Sequence, residues 1–318
     1  MRDVINYSGE NSVRRKNVKL RKFFKAVGNV MLVLVFAGAV TFTVLKIKNR
    51  NSDLEAIKTS WASYDYQKVF ELSKLYLQDH PQHNTALTYY GYACFFLSQS
   101  QTETQQAQFY LDESINALRV AMYEAPKSII PQLQYMLGRA YFYKNTIATH
   151  YYSDLAVKYL LLAKENGYEA DDIPEYLGLS YAALGMTMES ISAFTEALLV
   201  RESDSLLLAI AEQYCNAGEY KAAEQYLFRV VQNSQNDDII VRSQNLLGQI
   251  YIDQGKYDDA LKEFQNVLEK NKNSADAHYG IGVIYEKQGN MVAARAEWRK
   301  ALKLQVNHEG ALQKLNVN

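Results

Sequence analysis

Cysteine is nearly absent: only Cys94 and Cys215 occur in 318 residues. A pair of cysteines this sparse excludes a disulfide framework and a thiolate metal cluster. Both are expected as separate, at least partly buried thiols. Proline (4) and glycine (15) are too scarce for a low-complexity chain, and 48% apolar residues argue against disorder. Histidine numbers five: His80, His83, His150, His278 and His308. His80 and His83 share the stretch DHPQHN, but no third ligand completes a metal site. There is no Walker lysine, no GxSxG and no HExxH, and Gly280-x-Gly282 follows no strand signal. No catalytic residue, cofactor or metal is therefore expected.

Excess charge is also missing, with a net of −1, but the sum hides a division. Residues 1–50 hold 11 basic and 2 acidic residues, leaving 23 against 33 in residues 51–318, a net of −10 there. An acidic body does not neutralise phosphates, so nucleic acid is excluded as a partner. Long apolar runs are absent save one. From Ala26 to Leu45 there are 20 residues without a charge, roughly 30 Å of helix and enough to cross a bilayer. Eight basic residues precede the run, which places residues 1–25 as a basic cytoplasmic arm and 26–45 as a transmembrane helix. A cleavage site at Ala37-Gly38-Ala39 is the competing reading, but the run continues past it to Leu45.

What the chain has in quantity is periodicity. GQIYIDQGKYDDAL (Gly248–Leu261) returns 34 residues later as GVIYEKQGNMVAAR (Gly282–Arg295). Counting Gly248 as position 8, the unit 241–274 carries Tyr251, Gly255, Ala260 and Phe264 at positions 11, 15, 20 and 24. The unit 275–308 carries Tyr285, Gly289, Ala294 and Trp298 there. The units 171–204 and 204–237 repeat the pattern with Gly178, Tyr181 and Gly185, then Ala211, Tyr214 and Gly218. More divergent units lie at 50–83, 84–128 and 131–168, the last keeping Gly138 and Tyr141. Extra residues fall around SQSQTETQQAQ, NTIATHYY and NSQNDD. Position 8 reads as a helix crossing where a side chain would separate two helices; position 20, as at Ala260 and Ala294, reads as its small counterpart. Position 15 reads as the turn, where glycine accepts positive φ. The tyrosine at 11 and the ring or Leu at 24 read as fillers between pairs.

These residues resemble the tetratricopeptide repeat, a helix–turn–helix of 34 residues. The resemblance implies an all-α fold: a right-handed superhelical solenoid of about seven units over residues 46–308, with 309–318 as a short cap. It also implies a groove lined by first-helix positions 2, 5, 9, 12 and 13. The candidate protein-binding residues are then Tyr92, Phe95, Tyr135, Arg139, Phe142 and Tyr143, followed by Glu212, Asn216, Arg242, Asn245 and Gln249. Tyr and Arg suit a protein interface. The Lys/Asn clamp by which chaperone-binding members hold a peptide carboxylate is absent, because positions 5 and 9 read Tyr135/Arg139 and Asn245/Gln249. The acid pairs Asp171-Asp172, Asp237-Asp238 and Asp258-Asp259 read as helix caps.

The resulting expectation is a non-catalytic scaffold in a bacterial inner membrane, its repeats in the periplasm. Its partners are other proteins, with homo-oligomerisation left open. The layout resembles that of repeat proteins that build collars around periplasmic flagellar motors. It also resembles the ancillary subunit of the secretion translocon. An accessory subunit of a cell-wall enzyme system is a third reading.

Overall fold

The computed structural model describes residues 53–148 and 151–316, together with positions 31, 35, 36 and 40. Of the apolar run, Met31, Val35, Phe36 and Val40 are helical and exposed; the rest of it and the basic arm lie outside the described residues. Among the described residues no helix is long and apolar enough to cross a membrane.

All regular structure among these residues is helical. In order the helices are α1 (residues 53–62), α2 (Tyr66–Asp79), α3 (Asn84–Gln99), α4 (Thr104–Tyr123) and α5 (Ile130–Ile147). Next come α6 (Ser153–Glu165), α7 (Ile173–Ala183), α8 (Thr187–Val200), α9 (Asp204–Asn216) and α10 (Tyr220–Asn233). The last five are α11 (Asp237–Asp253), α12 (Tyr257–Lys270), α13 (Ala275–Lys287), α14 (Met291–Leu304) and α15 (Glu309–Asn316). They fall into two compact units, Met1–Ala93 and Cys94–Asn318.

In the first unit an aromatic cluster holds α1 to its neighbours. The Trp61 ring lies 5.5 to 5.7 Å from Tyr66, Tyr89 and Tyr92, and Phe70 stacks on Tyr90 at 5.3 Å. The α1–α2 turn places Tyr64 at φ 59°, the left-handed region that side chains rarely occupy.

The second unit is a stack of antiparallel pairs: α5–α6, α7–α8, α9–α10, α11–α12 and α13–α14, each second helix also touching the next first helix. The turn inside four of these pairs has one construction. The residue after the turn glycine donates its N–H to the position-11 tyrosine carbonyl: Met186 to Tyr181 at 2.9 Å, and Glu219, Lys256 and Asn290 to Tyr214, Tyr251 and Tyr285 at 2.8 Å. The bond closes only when the intervening residue is left-handed, and the glycines there have φ of 71 to 80°. The α1–α2 turn makes the same bond, Asp65 to Ser60 at 3.1 Å, with Tyr64 in the glycine place.

The crossings differ from the sequence expectation in one respect. The neighbour of each position-8 glycine is the position-24 side chain of its own pair. A Cβ on Gly178 would stand 2.4 Å from Phe194, on Gly248 2.6 Å from Phe264 and on Gly282 2.4 Å from Trp298. On Gly138 it would stand 2.7 Å from Leu160. Position 24 therefore fills space within its own pair, directly against the glycine. Phe264 also serves the next pair, since a Cβ on Gly280 would meet it at 2.3 Å. Ala260 and Ala294 are fully buried in the clusters around Phe264 and Trp298.

The extra residues are shared between longer helix ends and connecting turns: residues 145–147 extend α5, whereas residues 100–103 and 234–236 are not helical. α4, α5 and α11 run to 20, 18 and 17 residues, against 13 for α9 and α13. At the C-terminus the tail forms a helix in its own right. The imidazole Nδ1 of His308 accepts the Ala311 N–H at 3.2 Å, so Nε2 carries the proton and donates to Asp276 at 3.1 Å. That caps α15 and seats Ala311 on the Trp298 cluster.

Candidate protein-binding surface

Successive first helices of the second unit touch directly, at α5–α7, α9–α11 and α11–α13, whereas no comparable contact joins successive second helices. The first helices therefore form the tighter, inner side of the stack. The candidate residues of α5, α9 and α11 lie on these first helices, and they fall into two groups.

The first group centres on Arg139, in the middle of α5. Its guanidinium carbon is 4.9 Å from the Phe95 ring and 5.4 Å from those of Tyr135 and Tyr176. Phe142 packs on Tyr176 at 4.9 Å, Phe95 on Tyr143 at 5.7 Å, and the hydroxyls of Tyr143 and Tyr176 are 3.0 Å apart. Tyr135 donates its hydroxyl to the Asp172 carboxylate, at 2.8 and 2.7 Å from the two oxygens. Burial and that hydrogen bond push the Tyr135 phenol well above its ordinary pKa. Burial and the Tyr143 bond do the same for Tyr176. Burial alone would depress the Arg139 guanidinium, but Tyr176, Tyr135 and Asp172 together hold it above its usual value.

Two expectations need correction here. Tyr92, Phe95 and Tyr135 are 5, 0 and 7% exposed. They are core residues, because the same ring faces that suit an interface also fill the space between helices. Asp172 begins α7 but makes no cap bond, being engaged by Tyr135 instead. At α11 the cap is neutral: Asn236 accepts from Asp238 and Ile239, while Asp237 pairs with Lys270 at 2.6 Å. Asp258 and Asp259 lie in the first turn of α12 and make no cap bond. Arg139, Phe142 and Tyr143 remain partly exposed, as does Phe96 at the next first-helix position after Phe95, and Tyr176 and Tyr168 join them. Tyr176 escaped the positional reading because only the fold brings the next repeat against α5, and Tyr168 because it lies after α6, outside the first-helix positions.

The second group lies on α9 and α11. Arg242 pairs with Glu212 at 2.8 Å, and Gln249 and Tyr220 donate to Asp253 at 3.0 and 3.3 Å. Asn245 is half-buried, with its side-chain oxygen enclosed and without a partner. Asn216 is exposed at the end of α9 and belongs to no bonded cluster. Between the two helices sits Cys215, its thiol pushed up to about 11 by burial and by Glu212 and Asp253. Cys94 is buried in α3, and neither cysteine forms a disulfide.

Two family models match the chain, one described as TPR repeat over residues 248–289 and one as tetratricopeptide repeat over 275–308. Tetratricopeptide repeats are thus present in the C-terminal pairs. A tetratricopeptide repeat protein from Parabacteroides merdae superposes with a TM-score of 0.51 at 17% identity, covering 84% of this chain and 98% of that one. It shares the fold. YrrB, a TPR protein with an unusual peptide-binding site, aligns at 24% identity over 63% of this chain and 97% of its own, with a TM-score of 0.47. MamA aligns at 20% identity over 48% and 89%, with a TM-score of 0.42. No curated protein gives a significant match.

Proposed function

We propose that this chain is a non-catalytic, membrane-anchored scaffold that holds partner proteins on the first-helix side of its repeats during assembly of a cell-envelope complex. The observation that carries this is the partly exposed set Arg139, Phe142, Tyr143 and Tyr176. It combines apolar ring area, hydroxyls and one cation on the side where first helices converge. Aromatic and arginine side chains of this kind anchor protein interfaces. Residues 26–45 supply the anchor in a bacterial inner membrane, residues 1–25 stay in the cytoplasm, and the repeats stand in the periplasm. The uncharged length of that run and the eight basic residues before it support this orientation.

Spheroplasts test the topology. The full-length chain should stay in the membrane after a carbonate wash. Added protease should remove the repeats and leave a fragment of the arm and span. Release by carbonate, or repeats that resist protease until lysis, would overturn the anchored periplasmic reading.

A further inference from the structure

Arg139 is a half-buried cation without an ion-pair partner among the described residues. The neighbouring interhelical cations Lys144, Arg201, Arg229 and Arg242 are each met by a carboxylate. Arg139 is met by rings instead, from Phe95, Tyr135 and Tyr176. Its Nε is enclosed and makes no hydrogen bond. The acid one helix on, Asp172, is engaged by the Tyr135 hydroxyl.

The protons around it can be counted. A guanidinium carries five N–H groups and no acceptor, and each phenol carries one O–H. One phenolic proton lies between Tyr143 and Tyr176, so the pair has a second to give outward. The site is therefore rich in donors and poor in acceptors, in a half-desolvated ring-lined setting where a charged hydrogen bond is strong.

We propose that this place takes the carboxylate of an acidic side chain, carried by an extended segment of a partner protein next to an aromatic or aliphatic residue. The proposal rests on reading the first-helix side as the binding surface, and it names the chemistry recognised there. The outer edge of Arg139 binds the carboxylate in a fork, the spare tyrosine hydroxyl adds a donor, and the partly exposed Phe142 and Phe96 receive the apolar neighbour. A single side-chain carboxylate fits better than a phosphate. Asp172 close by and the net −10 of residues 51–318 repel a dianion more strongly than a single carboxylate.

The test is fluorescence anisotropy with the full-length chain in detergent. The probes are a fluorescein-labelled nonapeptide of alternating Glu and Phe and its Gln and Lys counterparts. The Glu peptide should bind at least tenfold tighter than the Gln peptide. Arg139→Gln should remove that difference, Arg139→Lys should restore part of it, and Arg229→Gln, on the second helix α10, should leave it unchanged. Circular dichroism melts of each variant show whether the fold persists. Equal binding of the Glu and Gln peptides, tighter binding of the Lys peptide, or full binding by folded Arg139→Gln would overturn the proposal. If no peptide binds while a crosslinker at Tyr143 still captures a partner in cells, the carboxylate assignment fails and the surface reading stands. Failure of both removes both.

Discussion

At the scale of single residues the repeats depend on which positions tolerate a side chain. Gly248 and Gly282 have a ring 2.4 to 2.6 Å from where a Cβ would stand. Replacing either with Leu overpacks a closed site, at a cost of about 1–3 kcal/mol or more. The C-terminal pairs should melt well below the rest in a thermal scan; an unchanged melt would contradict the crossing. Tyr64 poses the reverse case. Its φ of 59° costs roughly 1–2 kcal/mol, partly offset by the entropy a glycine adds to the unfolded chain. With the side chain 76% exposed and one loose ring contact to Tyr66, Tyr64→Gly should leave stability unchanged or raise it by up to about 1 kcal/mol in a denaturant titration. A clear loss would mean that Tyr64 makes a contact worth more than its strain. Cys215 offers a pH test. Its pKa is raised from 9.0 to about 11, so its thiolate fraction near pH 8 falls about 100-fold below that of an ordinary thiol. In a Cys94→Ser chain the iodoacetamide rate should keep rising steeply from pH 9 to 11; a plateau near pH 10, where an ordinary thiol is almost fully ionised, would contradict the buried, acid-flanked placement.

At the scale of elements, the helix pairs were legible where spacing is set by sterics. The Gly, Tyr, Gly and small-residue pattern from Gly178 to Trp298 corresponds to four pairs with one turn construction. The partner of each glycine was less legible, since Phe264 and Trp298 satisfy a filler reading between pairs as well as within one. How the insertions divide between longer helix ends and turns was not legible, because their polar residues carry no apolar period that marks where a helix stops. A short cap over residues 309–318 was legible, but its helix was not: α15 is short, and its start depends on the imidazole of His308 bridging Ala311 and Asp276. Removing residues 309–318 should expose Trp298, now fully buried. In a Trp61→Phe chain the emission should shift to the red, with roughly 2 kcal/mol lost from the last pair. An unshifted spectrum would mean that α14 protects Trp298 unaided.

At the scale of the whole molecule, function is legible mainly by exclusion and by division. The motifs that would signal an enzyme or a nucleic-acid binder are missing, and the charge splits at an apolar run. Position numbers alone could not separate anchor from core on the inner side. Tyr92, Phe95 and Tyr135 satisfy the groove pattern yet are buried, while Tyr176 reaches the site from the following repeat. Tyr135 thus supports the surface rather than presenting it, and substitutions that probe binding belong at Arg139 and Tyr143.

The most direct measurement is in-cell photocrosslinking of the full-length chain, with the crosslinker placed once at Tyr143 and once at Asp259 on the second-helix side. Mass spectrometry then identifies the adducts. The account predicts a small, reproducible set of envelope proteins captured from Tyr143 and not from Asp259. Capture from Asp259 alone, or from neither position, would contradict a scaffold that works through its first helices.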